Sequence, residues 1–164
     1  MEGMKRIKQD KQIVTVLERK DLIPVFLTLI EAEWPSVLPF VRRQLEDSLR
    51  EEDDKEGISA TFFLLVKGEP AGLVQTNPRE FIQKRKDLFP CIGPLFVAKK
   101  FRGSSFGEKL LARARWELGR RGYDAAYFTS DHIGFYERYG CREIGLDLYE
   151  NGRPVKIYEC GTFL

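Results

Sequence analysis

Between Arg102 and Gly107 the chain reads Arg-Gly-Ser-Ser-Phe-Gly, after an apolar stretch and before a periodic one. Residues of these types, so placed, can hold an anion. The first backbone N–H groups of a helix have no partner within it and lie at the positive end of its dipole. A phosphate or pyrophosphate satisfies them. Gly103 and Gly107 permit unusual backbone angles and close approach. Ser104 and Ser105 can donate hydroxyls or simply cap the helix, and Arg102 adds a charged fork matched to phosphate. Read alone, the hexapeptide is equally an ordinary capped helix after a turn. It is neither GxxxxGK followed by Ser or Thr nor GxGxxG, so it is not a nucleotide-binding loop of those two kinds. Tyr136, further along, suggests chemistry performed on whatever the turn holds.

These residues need elements to position them. Gln12 to Glu18 alternates apolar and polar residues, which predicts a strand. Asp21 and Pro24 suit a helix start, and Leu22, Val25, Phe26, Leu29 and Ile30 form one helical stripe that ends before Pro35. A second helix is expected from about Pro39, dissolving into the charged run from Glu51 to Glu56. Ile58 to Lys67 contains a continuous apolar run, as in a strand buried on both faces. Gly68-Glu69-Pro70 turns it into a returning strand from Ala71 to Thr76. Pro78 to Asp87 reads as either a short helix or a loop. Cys91 to Ala98 is the next strand, with a bulge or break expected at Gly93-Pro94. Phe106, Leu110, Leu111, Ala114 and Leu118 predict a helix ended by Gly122, with Trp116 off its apolar stripe. A strand from Asp124 to Thr129 follows, then a short helix from Ser130 or Asp131 through Tyr139. Two last strands are joined at Asn151-Gly152, a strong hairpin signal. The order β-α-α-β-β-β-α-β-α-β-β predicts a mixed sheet with helices on both faces.

The 164 residues suit one domain, residues 1–164, with a sizeable core. A net charge of +2, from 27 basic and 25 acidic residues, is too balanced to argue for a nucleic-acid partner. No apolar run reaches membrane-spanning length, and the N-terminal stretch lacks the apolar core of a secretory signal. Cys91, Cys141 and Cys160 are odd in number, widely spaced and without metal-binding spacing. They are expected to be small buried apolar residues rather than disulfide partners, in a reducing cytoplasm, and no metal is expected. The last strands could pair across a homodimer.

Two segments together resemble the GNAT superfamily of N-acetyltransferases. Arg102 to Gly107 is similar to that family's Arg/Gln-x-x-Gly-x-Gly/Ala turn, with Ser105 where glycine is usual. Phe135-Tyr136-Glu137-Arg138-Tyr139-Gly140-Cys141 is similar to its Phe-Tyr-x-x-x-Gly-Phe segment, with Cys141 replacing the last aromatic. The resemblance implies an α/β (α+β) fold: a mixed, mostly antiparallel six- to seven-stranded sheet with a splayed central strand pair and helices on both faces. It implies acetyl-CoA as co-substrate and an amine as acceptor. The backbone of Leu95, Phe96 and Val97 would pair with the pantetheine arm like an added strand. The amides of Arg102, Gly103, Ser104, Ser105, Phe106, Gly107 and Glu108 would hold the pyrophosphate, and Arg138 could reach a phosphate or pair with Glu137. Tyr136 would protonate the departing thiolate, since a tyrosine hydroxyl has an ordinary pKa of about 10; its bland alternative is packing beside Phe135 and Tyr139.

The base that takes the amine's proton stays open. His132, the one histidine, can titrate near neutrality or be a solvated first-turn residue. Glu33, beside Trp34, can bind or deprotonate an amine or be a surface carboxylate. Phe26, Trp34, Phe40, Phe81, Phe89 and Tyr149 could line an acceptor pocket or pack the core. A non-catalytic CoA-binding regulatory module of the same fold is the alternative reading, and a phosphate- or nucleotide-binding protein without CoA is a third.

Overall fold

The computed structural model describes residues 10–50, 58–78, 85–130, 134–149 and 151–162. In chain order these form β1 (Lys11–Thr15), α1 (Ile23–Glu33), α2 (Leu38–Leu49), β2 (Ala60–Val66), β3 (Glu69–Asn77), β4 (Cys91–Val97), α3 (Phe106–Arg120), β5 (Ala125–Ser130), β6 (Arg142–Leu148) and β7 (Pro154–Gly161). The strands make one seven-stranded sheet in the order β1-β2-β3-β4-β5-β7-β6. All neighbours run antiparallel except β4 and β5, which are parallel because α3 carries the chain across between them.

Each face of the sheet has its own core. The even alternation of β2 sends Phe63 and Leu65 to one face, where Phe26 and Ile30 of α1 and Val41 and Leu45 of α2 cover them. Phe62 and Leu64 face the other way, against Leu110, Leu111, Ala114 and Leu118 of α3. The α1 stripe is narrower than its sequence suggests. Leu22, Phe26 and Ile30, spaced four apart, are buried, whereas Val25 is 44% exposed. Trp116 stays half-exposed, with the guanidinium groups of Arg113 and Arg120 over its ring.

The expected break at Gly93-Pro94 is a bulge. Val74 pairs with Leu95 and Thr76 with Ile92, so Gln75 alone spans Gly93 and Pro94. Two buried side chains hold the bulge. Asn77 Nδ2 donates to the Gly93 carbonyl at 3.0 Å and to Gln44 Oε1 at 3.2 Å. On the α3 face the sheet and helix meet so closely that Gly72 is required. A Cβ there would lie 2.7 Å from the Phe96 carbonyl oxygen and 2.8 Å from Leu110 Cδ1.

Two expectations change. The segment before Tyr139 is not a helix in its described part, since Gly134 and Gly140 both have φ near +80° and leave only the 3-10 turn Glu137–Tyr139 between them. The cysteines also differ: Cys141 and Cys160 form a disulfide with a Cα–Cα distance of 4.4 Å, while Cys91 is free and buried. The antiparallel β6–β7 register sets Arg142 opposite Glu159, which brings the next residue out on each strand, Cys141 and Cys160, face to face. Spacing along the chain cannot show that pairing, because it belongs to the hairpin register.

Two outcomes follow from these contacts. Gly72→Ala should lower stability by roughly 1–3 kcal/mol in urea unfolding, because the main-chain Phe96 oxygen cannot give way as a side chain would. Thiol titration of the unreduced, denatured protein should find Cys91 alone. Replacing Cys141 and Cys160 by serine, which opens a loop with a sequence separation of 19, should cost about 3 kcal/mol.

Candidate active site

Beyond the bulge, β4 and β5 part. Their pairing is reduced to Cys91 opposite Tyr127, supported by the Tyr127 amide donating to the Pro90 carbonyl at 3.0 Å. The gap between the strands opens into a cleft of about 190 Å³. Gly93, Pro94 and Leu95 of β4 line it, with Phe128, Thr129 and Ser130 of β5, Leu111 of α3, and Tyr136. Trp34 and Val37, where α1 gives way to α2, and Tyr149, after β6, also line it.

The turn before α3 lies at one end of this gap. Gly103 has φ +85°, with open space where a Cβ would be, and Ser105 sits in the left-handed region at φ +63°. That conformation explains why glycine suits position 105, and a serine there bears a small backbone cost. Neither serine caps the helix through its side chain as the sequence allowed; α3 starts with no side-chain cap bond. Arg102 folds back, its Nε donating to the Val97 carbonyl at 3.0 Å, which ties the turn to the end of β4. Two further cations stand near the helix start. Lys11 Nζ lies 5.3 Å from the centre of the Phe106 ring, and Lys109 is held below the ordinary lysine pKa by burial and then by the Lys11 charge. A like-charged pair beside unpaired helix amides is an arrangement an anion relieves.

Gly107 joins this turn to Tyr136's. A Cβ at Gly107 would lie 3.5 Å from Phe135 Cζ, 3.7 Å from Leu95 Cδ2 and 3.9 Å from Val97 Cγ2. The ring of Tyr136 packs 4.4 Å from that of Phe128, 4.8 Å from Phe135 edge-on, and 5.5 Å from Tyr158, centre to centre. Three anchors that the sequence did not reveal hold this turn. Arg115 of α3, only 4% exposed, donates from Nη1 to the Tyr139 carbonyl and from Nε to the Gly161 carbonyl, both at 2.7 Å. The Tyr158 hydroxyl donates to Glu137 Oε1 at 2.9 Å. The disulfide fixes Cys141, whose amide donates to the Tyr136 carbonyl at 3.2 Å. A charged residue on an otherwise apolar helix stripe was the one available signal for Arg115.

The other candidates are placed as follows. Leu95 and Val97 touch the Gly107 position, and Phe96 points into the opposite core. Arg138 Nε donates to the Gly134 carbonyl at 3.2 Å, with its guanidinium 5.9 Å from the Phe135 ring centre. Glu33 Oε1 accepts from the Lys99 amide at 2.7 Å. His132 and Phe81 lie outside the described residues. Of the other aromatic residues, Trp34 and Tyr149 line the cleft, Phe26 stacks on Phe63 in the core, Phe40 lies beneath the Arg43 guanidinium, and Phe89 meets Tyr123 edge-on.

The family profile described as Acetyltransferase (GNAT) domain matches residues 59–143, which span the splayed strands, the turn before α3 and Tyr136. The chain belongs to the GNAT acetyltransferase family. Acetyl transfer is therefore its class of reaction, and acetyl-CoA the co-substrate that this family binds. No curated protein matches in sequence. Solved structures show the same fold. A putative acetyltransferase of the GNAT family from Desulfovibrio desulfuricans superposes with a TM-score of 0.70 at 16% identity, over 92% of this chain and 98% of that one. The ribosomal-protein-S18-alanine N-acetyltransferase from Escherichia coli gives 0.64 at 16% identity, over 94% and 95%. An aminoglycoside 6'-N-acetyltransferase complexed with coenzyme A gives 0.63 at 16% identity, over 84% and 89%. In this GNAT chain no described helix is long and apolar enough to cross a membrane.

The Tyr158–Glu137 bond carries a pH signature. Burial, then the bond to Glu137, pushes the Tyr158 hydroxyl up to about 12. Glu137 is held low by its own backbone amide and then by Tyr158. An unfolded tyrosine ionises near about 10. Between there and about 12 the unfolded chain has lost a proton that the folded chain keeps, so stability falls as pH rises through that window. Tyr158→Phe should flatten this fall, a component on the order of 2–3 kcal/mol, in urea unfolding at about pH 9 and about pH 11.5. An identical slope in the variant would show that Tyr158 does not carry this fall.

Proposed function

We propose that this GNAT acetyltransferase is an N-acetyltransferase, moving the acetyl group of acetyl-CoA to a primary amine by direct attack within a ternary complex. The observation that carries the reading is one cleft, lined from both faces of the sheet, with the turn before α3 at one end and Tyr136 in its wall. The residues present fit the co-substrate. The β4 edge beyond Cys91 lacks a β5 partner, so the backbone of Leu95, Phe96 and Val97 can pair with an extended arm. The amides from Arg102 to Glu108 and the Lys11–Lys109 pair suit a pyrophosphate.

Bound acetyl-CoA supplies an activated thioester carbonyl. The chain's part is to orient, dehydrate and move protons. The walls of Leu95, Leu111 and Phe128 exclude water from the reacting end. Backbone N–H groups at the broken strand can stabilise negative charge developing on the acetyl oxygen. As the amine nitrogen bonds to the acetyl carbon, the C–S bond breaks and its electron pair leaves on sulfur. The nitrogen gives up one proton, to water or a protein base, and Tyr136 donates one to the sulfur. Glu33 engages the Lys99 amide through one oxygen, so water is the simpler first acceptor.

Tyr136→Phe should lower kcat by about tenfold or more while leaving acetyl-CoA affinity nearly intact, measured by thiol release and calorimetry. Unchanged turnover would remove Tyr136 as the acid. A melting-temperature rise with acetyl-CoA but not ATP is expected, and thiol release over an amine panel separates an enzyme from a binding module.

A further inference from the structure

We propose that the acceptor is a small primary amine carried on a short arm from a flat, apolar ring, and that Trp34 and Tyr149 select it. This rests on the N-acetyltransferase reading and adds the class of amine. The acceptor side of the cleft is built from Trp34, Val37 and Tyr149, facing Leu95, Phe128 and Tyr136 across the gap. The whole cleft, which must also admit the acetyl end of the co-substrate, measures about 190 Å³, little more than the roughly 150 Å³ apolar cavity that takes a benzene molecule. Space of that size, shared with an acetyl group, suits one ring on a short arm better than a multi-ring polycation or several residues of peptide.

The aromatic wall is set by the backbone rather than by chance exposure. Trp34 ends α1 with φ −147° and ψ 63°, its amide donating to the Ile30 carbonyl at 2.7 Å. Its carbonyl accepts from the Val37 amide at 3.2 Å, and Pro35 locks the next residue. This corner holds the indole at 40% exposure on the cleft, whereas Phe26, two turns earlier on the same helix, is fully buried. A large apolar ring held half in water at a rigid corner gains from a ligand ring laid against it, by area burial and by ring–ring contact. Among the described residues, the polar side chains at the β5 end of the cleft are the neutral Thr129 and Ser130. They suit a single amine positioned by hydrogen bonds near the reacting end. The carboxylate adjoining Trp34, that of Glu33, is engaged by the Lys99 amide.

The test compares acceptors and then removes the wall. Full-length protein with acetyl-CoA is assayed for thiol release with 2-phenylethylamine, tryptamine, spermidine, kanamycin and a tetrapeptide beginning with Phe. The arylalkylamines should exceed the other three in kcat/KM by about tenfold or more. Trp34→Ala should raise KM for 2-phenylethylamine by about tenfold with acetyl-CoA affinity unchanged, and Trp34→Phe should recover most of the loss. Tyr149→Leu provides the same test should Trp34→Ala not fold. Preference for spermidine, kanamycin or the peptide, or an unmoved arylalkylamine KM in folded Trp34→Ala, would overturn the proposal and leave the acetyltransferase reading standing. Failure to bind acetyl-CoA by calorimetry, with no thiol release from any amine, would overturn both.

Discussion

The structure depends on one interruption in a sheet. Between β4 and β5 the chain makes the one parallel pairing in the sheet, and it lasts for a single residue pair. An uninterrupted ladder would be closed to ligands, since its backbone groups would satisfy one another. The bulge at Gly93-Pro94 prevents this. One residue of β3 faces two of β4, and proline brings no N–H to the ladder. The bulge is secured from the far side by Asn77, which spends its amide on the Gly93 carbonyl and on Gln44 of α2. A buried polar bridge thus sets the mouth of the cleft and fastens α2 to the strand that bulges there.

The second constraint is the close seating of α3. Its middle lies so near the sheet that only a glycine at position 72 permits it. Once seated, the helix serves the opposite side of the site through Arg115, whose guanidinium reaches the carbonyls of Tyr139 and Gly161. Burial lowers the Arg115 pKa, a cost met by two short bonds to main-chain oxygens. The tyrosine turn, too short to be a helix, draws its rigidity from this arginine, from Tyr158 and from the Cys141–Cys160 bond. Anion turn and tyrosine are therefore positioned by one helix and meet at Gly107.

Much of this was legible in the chain. Alternating and continuous apolar runs marked the strands, because a strand's side chains change face at every residue. Gly93-Pro94 announced its break by composition alone, since neither residue suits a ladder. The two motifs pointed to the family only as an ordered pair, because glycine and serine before a helix are equally an ordinary turn. Other features were not legible. The disulfide depends on the β6–β7 register, which the spacing of three cysteines does not encode. The expected helix before Tyr139 gave way to glycines at positive φ on both sides of a single turn. Trp34 and Phe26 are both aromatic residues of one helix region, and sequence offered no means to tell the cleft wall from the core.

By itself the sequence determined the strands, the three long helices and the two-sided sheet, since these follow from periodicity and backbone chemistry local to a few residues. Only the tertiary structure decided how far β4 and β5 part, which cysteines join, and which aromatic side chains line the cleft. Those depend on strand register and on the angle at which α1 ends, quantities set by contacts between residues far apart in the chain.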